Sequence, residues 1–215
     1  VEAKIVLPNK PTAMRAIPGQ TDAIVISYGA SEDETGIGLF TDAAGGGVHL
    51  KLKTAVTSLE FGEDAATLYA ANGASGGRAL SEFHLDASGL HLVRDVLPVE
   101  VGQRIRRFGN HLYDEVGHVF DTRTLKMVDR TRRMGEVTID DSASWLYGVS
   151  DNRLYLYRLP KMTSVGSWPL VRDGDMIIPC GNNRVAHVNT NYKLGIDFYS
   201  LDDIEWQGAL TAASA

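Results

Sequence analysis

The sequence contains a single cysteine, Cys180, among its 215 residues. One cysteine excludes an internal disulfide and every zinc site built on paired cysteines. No run of apolar residues approaches the roughly 18 that a membrane-spanning helix needs, and neither a His-Glu-x-x-His motif nor a glycine-rich phosphate loop ending in lysine occurs. The sequence starts at Val1 without the basic and apolar leader of a signal peptide. We expect that any targeting segment has been removed or lies outside this chain.

The composition is typical of a globular protein. Hydrophobic residues make up 44% and charged residues 22% of the chain, and the formal net charge is −6. This acidic balance argues against a dedicated nucleic-acid binder, since such proteins set positive charge against phosphates. The 22 glycines exceed the average share of about 7% and indicate many tight turns.

A short apolar strand followed by a turn recurs along the chain. It is marked by Leu68, Leu112, Leu146 and Val185, at intervals of 44, 34 and 39 residues. The average of about 40 residues is the period of four-stranded propeller blades. In phase with these marks, a second strand carries an aromatic residue and ends in a polar turn; these aromatic residues are Phe83, Phe120, Tyr157 and the pair Phe198-Tyr199.

The repeat predicts an all-β fold, a single β-propeller domain of about five four-stranded blades. The predicted blades cover residues 12–54, 56–97, 105–132, 135–170 and 175–210. Helical periodicity is nearly absent, and runs such as Val25-Ile26-Ser27-Tyr28 are β-branched or aromatic, which favours strands over helices.

The first strand of the sequence has no blade of its own. Residues 1–8 contain Lys4-Ile5-Val6-Leu7-Pro8, which is similar to the outermost strand of a blade, while residues 204–210 supply a fourth strand to the fifth unit. This count favours a run of blades from a larger ring, with the remaining blades missing or supplied by a second chain. In the alternative, a closed five-bladed propeller, residues 204–210 are a tail and the N-terminal strand completes the last sheet.

Residues 110–128 read NHLYDEVGHVFDTRTLKMV. A Leu-Tyr strand, a glycine turn and a Val-x-Asp strand followed by Thr resemble the blade pattern of bacterial YVTN/WD40-like (quinoprotein-like) propellers, over about residues 55–205. The resemblance implies a ring of blades with an axial channel and loop-rich faces. It also implies an extracellular or cell-envelope protein that binds other molecules.

A metal site is predicted in the third unit. His111 and His118 flank a turn, and Asp114 lies between them. Two imidazoles and a carboxylate are ligands that zinc or manganese accepts. The alternative is that all three are ordinary polar residues of an exposed turn.

Carboxylates elsewhere could hold calcium or another divalent cation. Ser31-Glu32-Asp33-Glu34-Thr35-Gly36 places three of them beside a glycine. Asp173, Asp175, Asp140 and Asp141 lie next to the predicted inner strands, where paired carboxylates could do acid and base work. Ordinary turn chemistry is the alternative for both groups, and no cofactor is predicted.

The third unit is locally basic in an acidic protein. Arg130, Arg132 and Arg133 lie on or beside its outermost strand. Such cations protect a sheet edge from stray pairing, or they recognise an anionic partner such as a polysaccharide or an acidic protein surface. Cys180 follows the apolar run Met176-Ile177-Ile178-Pro179, so we expect a buried thiol.

Two functions follow from these patterns. The first is a non-enzymatic binding module, a propeller scaffold that presents loops and an axial face to a protein or glycan partner. The alternative is a propeller hydrolase of the lactonase or glycosidase type, with channel-mouth carboxylates around a divalent cation. Three or more carboxylate, asparagine or histidine groups that converge at the channel mouth would favour the hydrolase. Their absence there would favour the binding module.

Overall fold

The computed structural model describes residues 5–29, 35–41, 47–72, 78–97, 99–132, 134–170, 176–181, 184–189, 195–203 and 205–206. These residues form five antiparallel sheets, and a short 3-10 helix covers Leu201–Asp203. The all-β prediction is confirmed.

Each sheet is built from strands that follow one another in the chain. Sheet one contains β1 (Pro11–Ala16), β2 (Ala23–Tyr28), β3 (Gly36–Thr41) and β4 (Val48–Lys51). Sheet two contains β5 (Ser58–Phe61), β6 (Thr67–Asn72), β7 (Ala79–Asp86) and β8 (Gly89–Val96). Sheet three contains β9 (Ile105–Phe108), β10 (His111–Asp114), β11 (His118–Asp121) and β12 (Met127–Arg130).

The last two sheets depart from this pattern at their ends. Sheet four contains β13 (Val137–Asp140), β14 (Trp145–Ser150), β15 (Arg153–Arg158), β16 (Thr163–Pro169) and, paired with β16, β20 (Glu205–Trp206). Sheet five contains β17 (Met176–Gly181), β18 (Arg184–Asn189) and β19 (Gly195–Ser200). In all five sheets the first strand lies at an edge.

The predicted repeat marks occupy one position in the folded chain. Leu68, Leu112, Leu146 and Val185 are each the second residue of the second strand of a sheet, and all four are buried. Each stands opposite the aromatic residue of the third strand, in the pairs Leu68 with Phe83, Leu112 with Phe120, Leu146 with Tyr157 and Val185 with Tyr199. The two sequence marks are therefore cross-strand partners, and such pairs stabilise a sheet.

A β-bulge accompanies the aromatic residue in three sheets. The register between the third and fourth strands shifts between Glu82 and Phe83, between Val119 and Phe120, and between Leu156 and Tyr157. A bulge bends a strand and increases its twist. The same local distortion therefore recurs at the same place in sheets two, three and four.

The chain divides into two compact units. The first comprises residues 1–107 and 123–126, and the second comprises residues 108–122 and 127–215. In the first unit, the apolar faces of sheets one and two form one core, which includes Val25, Ile37, Leu59, Leu68 and Phe83. Full burial of such a side chain contributes about 1.5–3 kcal/mol.

The second unit has two apolar clusters, one on each side of sheet four. On one side Leu146 and Tyr155 pack with Tyr113 and Val119 of sheet three. On the other side Tyr147, Leu154, Leu156 and Trp168 pack with Ile177 and Val185 of sheet five. Sheet four is therefore covered on both faces, which explains its nearly continuous apolar sequence.

The structure differs from the predicted ends of the chain. Ile5 to Leu7 form no strand, and Val6 is 79% exposed; Lys4 lies outside the described residues. An apolar run forms a strand only where it pairs with a sheet edge, and Pro8 has no N–H to donate to such a ladder. Glu205 and Trp206 pair with Ser167 and Gly166 of sheet four rather than with sheet five. Residues 204 and 207–210 lie outside the described residues.

Candidate functional site

Four charged residues of the first unit meet on the first strands of three sheets. Nη2 of Arg15 on β1 lies 3.3 Å from Oε2 of Glu60 on β5, and Nη1 of Arg106 on β9 lies 3.9 Å from the same oxygen. The neighbouring Arg107 donates from Nε to the carbonyl oxygen of Phe61 at 2.9 Å. We call Arg15, Glu60, Arg106 and Arg107 the arginine cluster.

Packing of β9 against sheet two positions the cluster. Ile105 is fully buried, and its backbone N–H donates to Oγ of Ser58 at 3.1 Å. The next two residues are the arginines, which are half-buried. An apolar anchor followed by two arginines therefore places both guanidinium groups beside β5.

The cluster carries more positive than negative charge. Burial raises the pKa of Glu60, and the positive charges of Arg15, Arg106 and Arg107 oppose that rise. Two guanidinium groups thus lie within 4 Å of one carboxylate, with that of Arg107 bonded nearby to the backbone of β5, and an arginine stays charged at every physiological pH. These charges lie at a partly desolvated surface, where an anion interacts more strongly with them than in bulk water.

The structure brings together two of the three predicted metal ligands. Nδ1 of His118 lies 3.0 Å from Oδ2 of Asp114, and both side chains are buried. Oδ1 of Asp114 also accepts the backbone N–H groups of Val116 and His118, so this carboxylate organises the turn between β10 and β11.

The third predicted ligand lies elsewhere. His111 stands opposite Asp121 at the other end of β10, and its ring lies beside that of Tyr113. Because side chains alternate across a strand, His111 and Asp114 are on opposite faces of the sheet. The three residues do not converge. Among the residues that the structure describes, no three His, Cys, Asp or Glu side chains are grouped to hold a metal ion.

The other predicted cation sites are described only in part. Residues 31–34 and 173–175 lie outside the described residues. Oδ1 of Asp140 accepts the backbone N–H groups of Ser142 and Ala143 and the hydroxyl of Ser142, which is the ordinary turn chemistry of aspartate. Asp141 is exposed.

The structure describes two of the three arginines of the predicted basic surface of sheet three, and they differ in their contacts. Arg130 is exposed at the end of β12. Nη2 of Arg132 lies 2.6 Å from Oδ2 of Asp151, and its guanidinium stacks 4.5 Å from the ring centroid of Tyr155. The charge of Arg132 is therefore already paired within the second unit. Arg133 lies outside the described residues, and partner binding by these arginines stays a prediction.

The thiol of Cys180 is exposed, not buried as expected. It lies near the end of β17, an edge strand whose alternate residues Met176 and Ile178 are also exposed. The apolar run predicted burial correctly only for Ile177, which faces sheet four.

A Gly-x-Ser-x-Gly motif lies among the residues that the structure does not describe. Residues 73–77 read GASGG, the spacing of a nucleophile elbow. That elbow joins a strand to a helix, whereas residues 73–77 join strands β6 and β7. The flanking elements therefore do not fit this motif.

A cavity of the first unit has a volume of about 430 Å³. Its lining includes Ile17, Leu39 and Leu85, with Asp86 among its polar members. Hydrogen bonds from the hydroxyl and the backbone N–H of Ser88 lower the pKa of Asp86 to about 2. This cavity pairs an apolar wall with one persistent negative charge.

Solved structures of β-propeller domains are similar to this chain. The WD40 β-propeller domain of Doa1 matches 94% of this chain and 69% of its own, with a TM-score of 0.64 and 9% identity. The β-propeller domain of Cps50 (Swd1) from Myceliophteria thermophila matches 98% of this chain and 69% of its own, with a TM-score of 0.66 and 11% identity. The sheets are β-propeller blades.

A third propeller-like match is the hydrazine synthase of Kuenenia stuttgartiensis, at a TM-score of 0.61 and 14% identity, covering 96% of this chain and 70% of that one. At such identities the likeness shows the fold alone. No family model and no curated protein sequence matches the chain, so the finer YVTN relationship stays a prediction. In the described residues no helix is long and apolar enough to cross a membrane.

Proposed function

We propose that the protein is a non-enzymatic interaction scaffold whose arginine cluster receives a carboxylate from a protein partner. The observation that supports this proposal most is that Arg15 and Arg106 meet at the carboxylate of Glu60, with Arg107 bound to the neighbouring carbonyl oxygen of Phe61. Among the described residues, no specific observation favours the alternative hydrolase.

The internal carboxylate indicates what kind of ligand the cluster fits. Arginine presents a planar fork of donors that matches a carboxylate, and such charge-assisted bonds are about twice as strong as neutral ones. Oε2 of Glu60 already lies within reach of two guanidinium groups. An aspartate or glutamate side chain of a partner would meet Arg15 and Arg106 with the same chemistry as the carboxylate of Glu60.

The location suits a binding surface. The side chains of Arg15 and Arg106 are 32% and 25% exposed, so the guanidinium groups are held by the protein and still accessible. Partly buried charges attract a partner more strongly than fully solvated ones, because water screens them less. This supports recognition by a preorganised site.

The test uses a fluorescently labelled poly-glutamate peptide, with binding followed by anisotropy at low salt. We expect Arg15→Gln and Arg106→Gln each to weaken binding about tenfold, since a hydrogen bond to a charged group contributes about 1.5–3 kcal/mol. We expect Glu60→Gln to tighten binding, because it removes the competing internal carboxylate.

Arg78→Gln is the matched control. Arg78 is an exposed arginine of the same unit, and its loss changes the net charge by the same amount. Equal weakening by Arg78→Gln and Arg106→Gln would contradict the proposal, because it would reduce the effect to net charge. Binding that is insensitive to both cluster variants would contradict it as well.

A further inference from the structure

The cavity of the first unit is lined by both sheets of that unit, and apolar side chains form most of its wall. Its volume of about 430 Å³ falls within the range of about 300–1,000 Å³ that is typical of sites for small molecules. Sheet one contributes Ile17, which follows β1, and Leu39 of β3, while sheet two contributes Leu85 of β7. Ile17 belongs to the apolar core, and Leu39 and Leu85 pack against it. A molecule in this cavity therefore contacts hydrocarbon from two blades.

Among the described residues that line the cavity, only Asp86 is charged. It ends β7, and its side chain is 44% exposed. Its Oδ1 accepts the backbone N–H of Ser88 at 2.7 Å and the hydroxyl of Ser88 at 2.6 Å, and it lies 3.3 Å from Nε2 of His91. All the hydrogen bonds of Asp86 to described residues use this one oxygen. They fix the carboxylate in place and leave Oδ2 as an acceptor for a ligand.

The electrostatics of the cavity favour a cation. The hydrogen bonds from Ser88 lower the pKa of Asp86 to about 2, so this carboxylate is ionised at neutral pH. A second carboxylate lies close to the wall, because Oδ1 of Asp64 accepts the backbone N–H of Ala66 at 3.1 Å and Ala66 lines the cavity. The described lining residues include no lysine or arginine.

The kind of cation follows from the groups that are present. A guanidinium group binds best through two parallel bonds to both oxygens of a carboxylate, and Oδ1 of Asp86 is already engaged. Quaternary ammonium groups are recognised by aromatic rings, and the described lining residues include none. A primary ammonium group is a compact point charge, which a single anionic oxygen can bind. An aliphatic chain attached to it would suit the apolar wall.

We propose that this cavity binds a small molecule that carries a primary ammonium group on an aliphatic chain. The ammonium group donates a hydrogen bond to Oδ2 of Asp86, and the chain lies against Ile17, Leu39 and Leu85. A cavity of this volume suits a free amine better than the single lysine side chain of a partner protein. The described lining contains no residue of the arginine cluster, so the two proposals fail separately.

The test is a titration of the isotope-labelled protein with hexylamine, followed by NMR through the backbone amide signals. At about pH 8 the amine is protonated. We expect saturable shifts of the amide signals of Ala66, Leu85 and Ser88. From ethylamine to hexylamine, the affinity is expected to rise by about two- to fourfold for each methylene group, because the chain is removed from water.

Ligands without the primary ammonium group test the role of the charge. Hexanol is expected to bind at least about tenfold more weakly than hexylamine, because a hydrogen bond between charged groups is lost. Hexylguanidinium is also expected to bind more weakly. Equal affinity for either compound would overturn the proposal, and so would the absence of saturable shifts at the three amides. Tighter binding of an acetylated tripeptide with a central lysine would overturn it as well, since the ligand would then be a partner protein.

Asp86→Asn tests the assigned residue. Asparagine keeps an oxygen that can hold Ser88 but removes the negative charge, and we expect at least about tenfold weaker binding of hexylamine. Asp140→Asn is the matched control, because Oδ1 of Asp140 accepts the backbone N–H and the hydroxyl of Ser142 in the same way, but in sheet four. We expect this control to bind hexylamine as the unchanged protein does. Equal affinities of the two variants would overturn the proposal. The comparison of ligands needs no variant, so it applies even if Asp86→Asn fails to fold.

Discussion

Sheets four and five use equivalent strand positions in opposite environments. Leu154 and Leu156 of sheet four are fully buried, whereas their counterparts Ile196 and Phe198 in sheet five are more than half exposed. All four side chains are large and apolar, and all four follow the same strand alternation. The difference therefore lies in what covers the face. An apolar alternation records which faces a strand is suited to bury, while the exposed area shows which of those contacts are made within this chain.

Truncation of a buried side chain in sheet four should cause the largest loss in the free energy of unfolding. Leu156→Ala leaves a cavity between sheets four and five, where Leu156 packs with Trp168 and Val185. We expect a loss of about 2–5 kcal/mol in the free energy of unfolding, the usual cost of such a truncation. Urea unfolding followed by tryptophan fluorescence measures it. A loss below about 1 kcal/mol would contradict the burial described for sheet four.

High pH should lower the free energy of unfolding through a buried tyrosine of sheet four that has no counterpart in sheet five. Burial, with a smaller contribution from the carboxylate of Asp140, raises the pKa of Tyr147 from 10.0 to about 12. The folded protein thus keeps a proton that the unfolded chain releases. The free energy of unfolding is unaffected below pH 10 and falls between pH 10 and 12, by at most about 1.4 kcal/mol per pH unit for one group. The equivalent position in sheet five is Ala186, which cannot contribute.

The variant for this test is Tyr147→Phe, with urea unfolding measured from pH 9 to 12. We expect a shallower fall in stability than in the unchanged protein. Some fall should remain, because burial also raises the pKa of Tyr113. An identical pH dependence in both proteins would show that Tyr147 ionises as freely in the folded state as in the unfolded state.

A hydrogen bond between sheets four and five should contribute to the free energy of unfolding. Nε1 of Trp168 donates a hydrogen bond to the carbonyl oxygen of Ser200 at 2.9 Å. Trp168→Phe keeps an aromatic ring but removes the donor, and we expect a loss of about 1 kcal/mol from the missing bond. Urea unfolding measures the loss. An unchanged midpoint would show that this bond does not hold sheet five against sheet four.

The repeat was predictable from sequence because it depends on local rules. The spacing of Leu68, Leu112 and Leu146 located equivalent buried positions, since strand alternation fixes which side chains share a face. The same rule places His111 and Asp114, three residues apart, on opposite faces. Strict use of alternation would therefore have separated these two predicted metal ligands.

The arginine cluster was not predictable in the same way. Arg15 and Glu60 are 45 residues apart and belong to different sheets. Alternation within a strand gives no information on which side chains of neighbouring blades meet. The local basic stretch that contains Arg106 and Arg107 was visible in the sequence, but the carboxylate that draws these arginines together was not. The exposure of Cys180 has a similar cause, because an apolar run does not reveal which of its faces is covered.

The smallest expected effect belongs to the exposed side chain of Phe198 in sheet five, and it tests the comparison most directly. Phe198 is 67% exposed, so Phe198→Ala removes a ring that loses little contact with water on folding. We expect the free energy of unfolding to change by no more than about 0.5 kcal/mol, as for other surface substitutions. Urea unfolding of Phe198→Ala and Leu156→Ala side by side then measures the difference between an exposed and a covered position of the same repeat.

A loss of more than about 2 kcal/mol for Phe198→Ala would mean that the ring is buried in solution, as large truncations are costly only in packed surroundings. Repeating the urea unfolding at several protein concentrations would show what buries the ring. A loss that grows with concentration indicates a second copy of the chain, and a constant loss indicates a segment of the same chain.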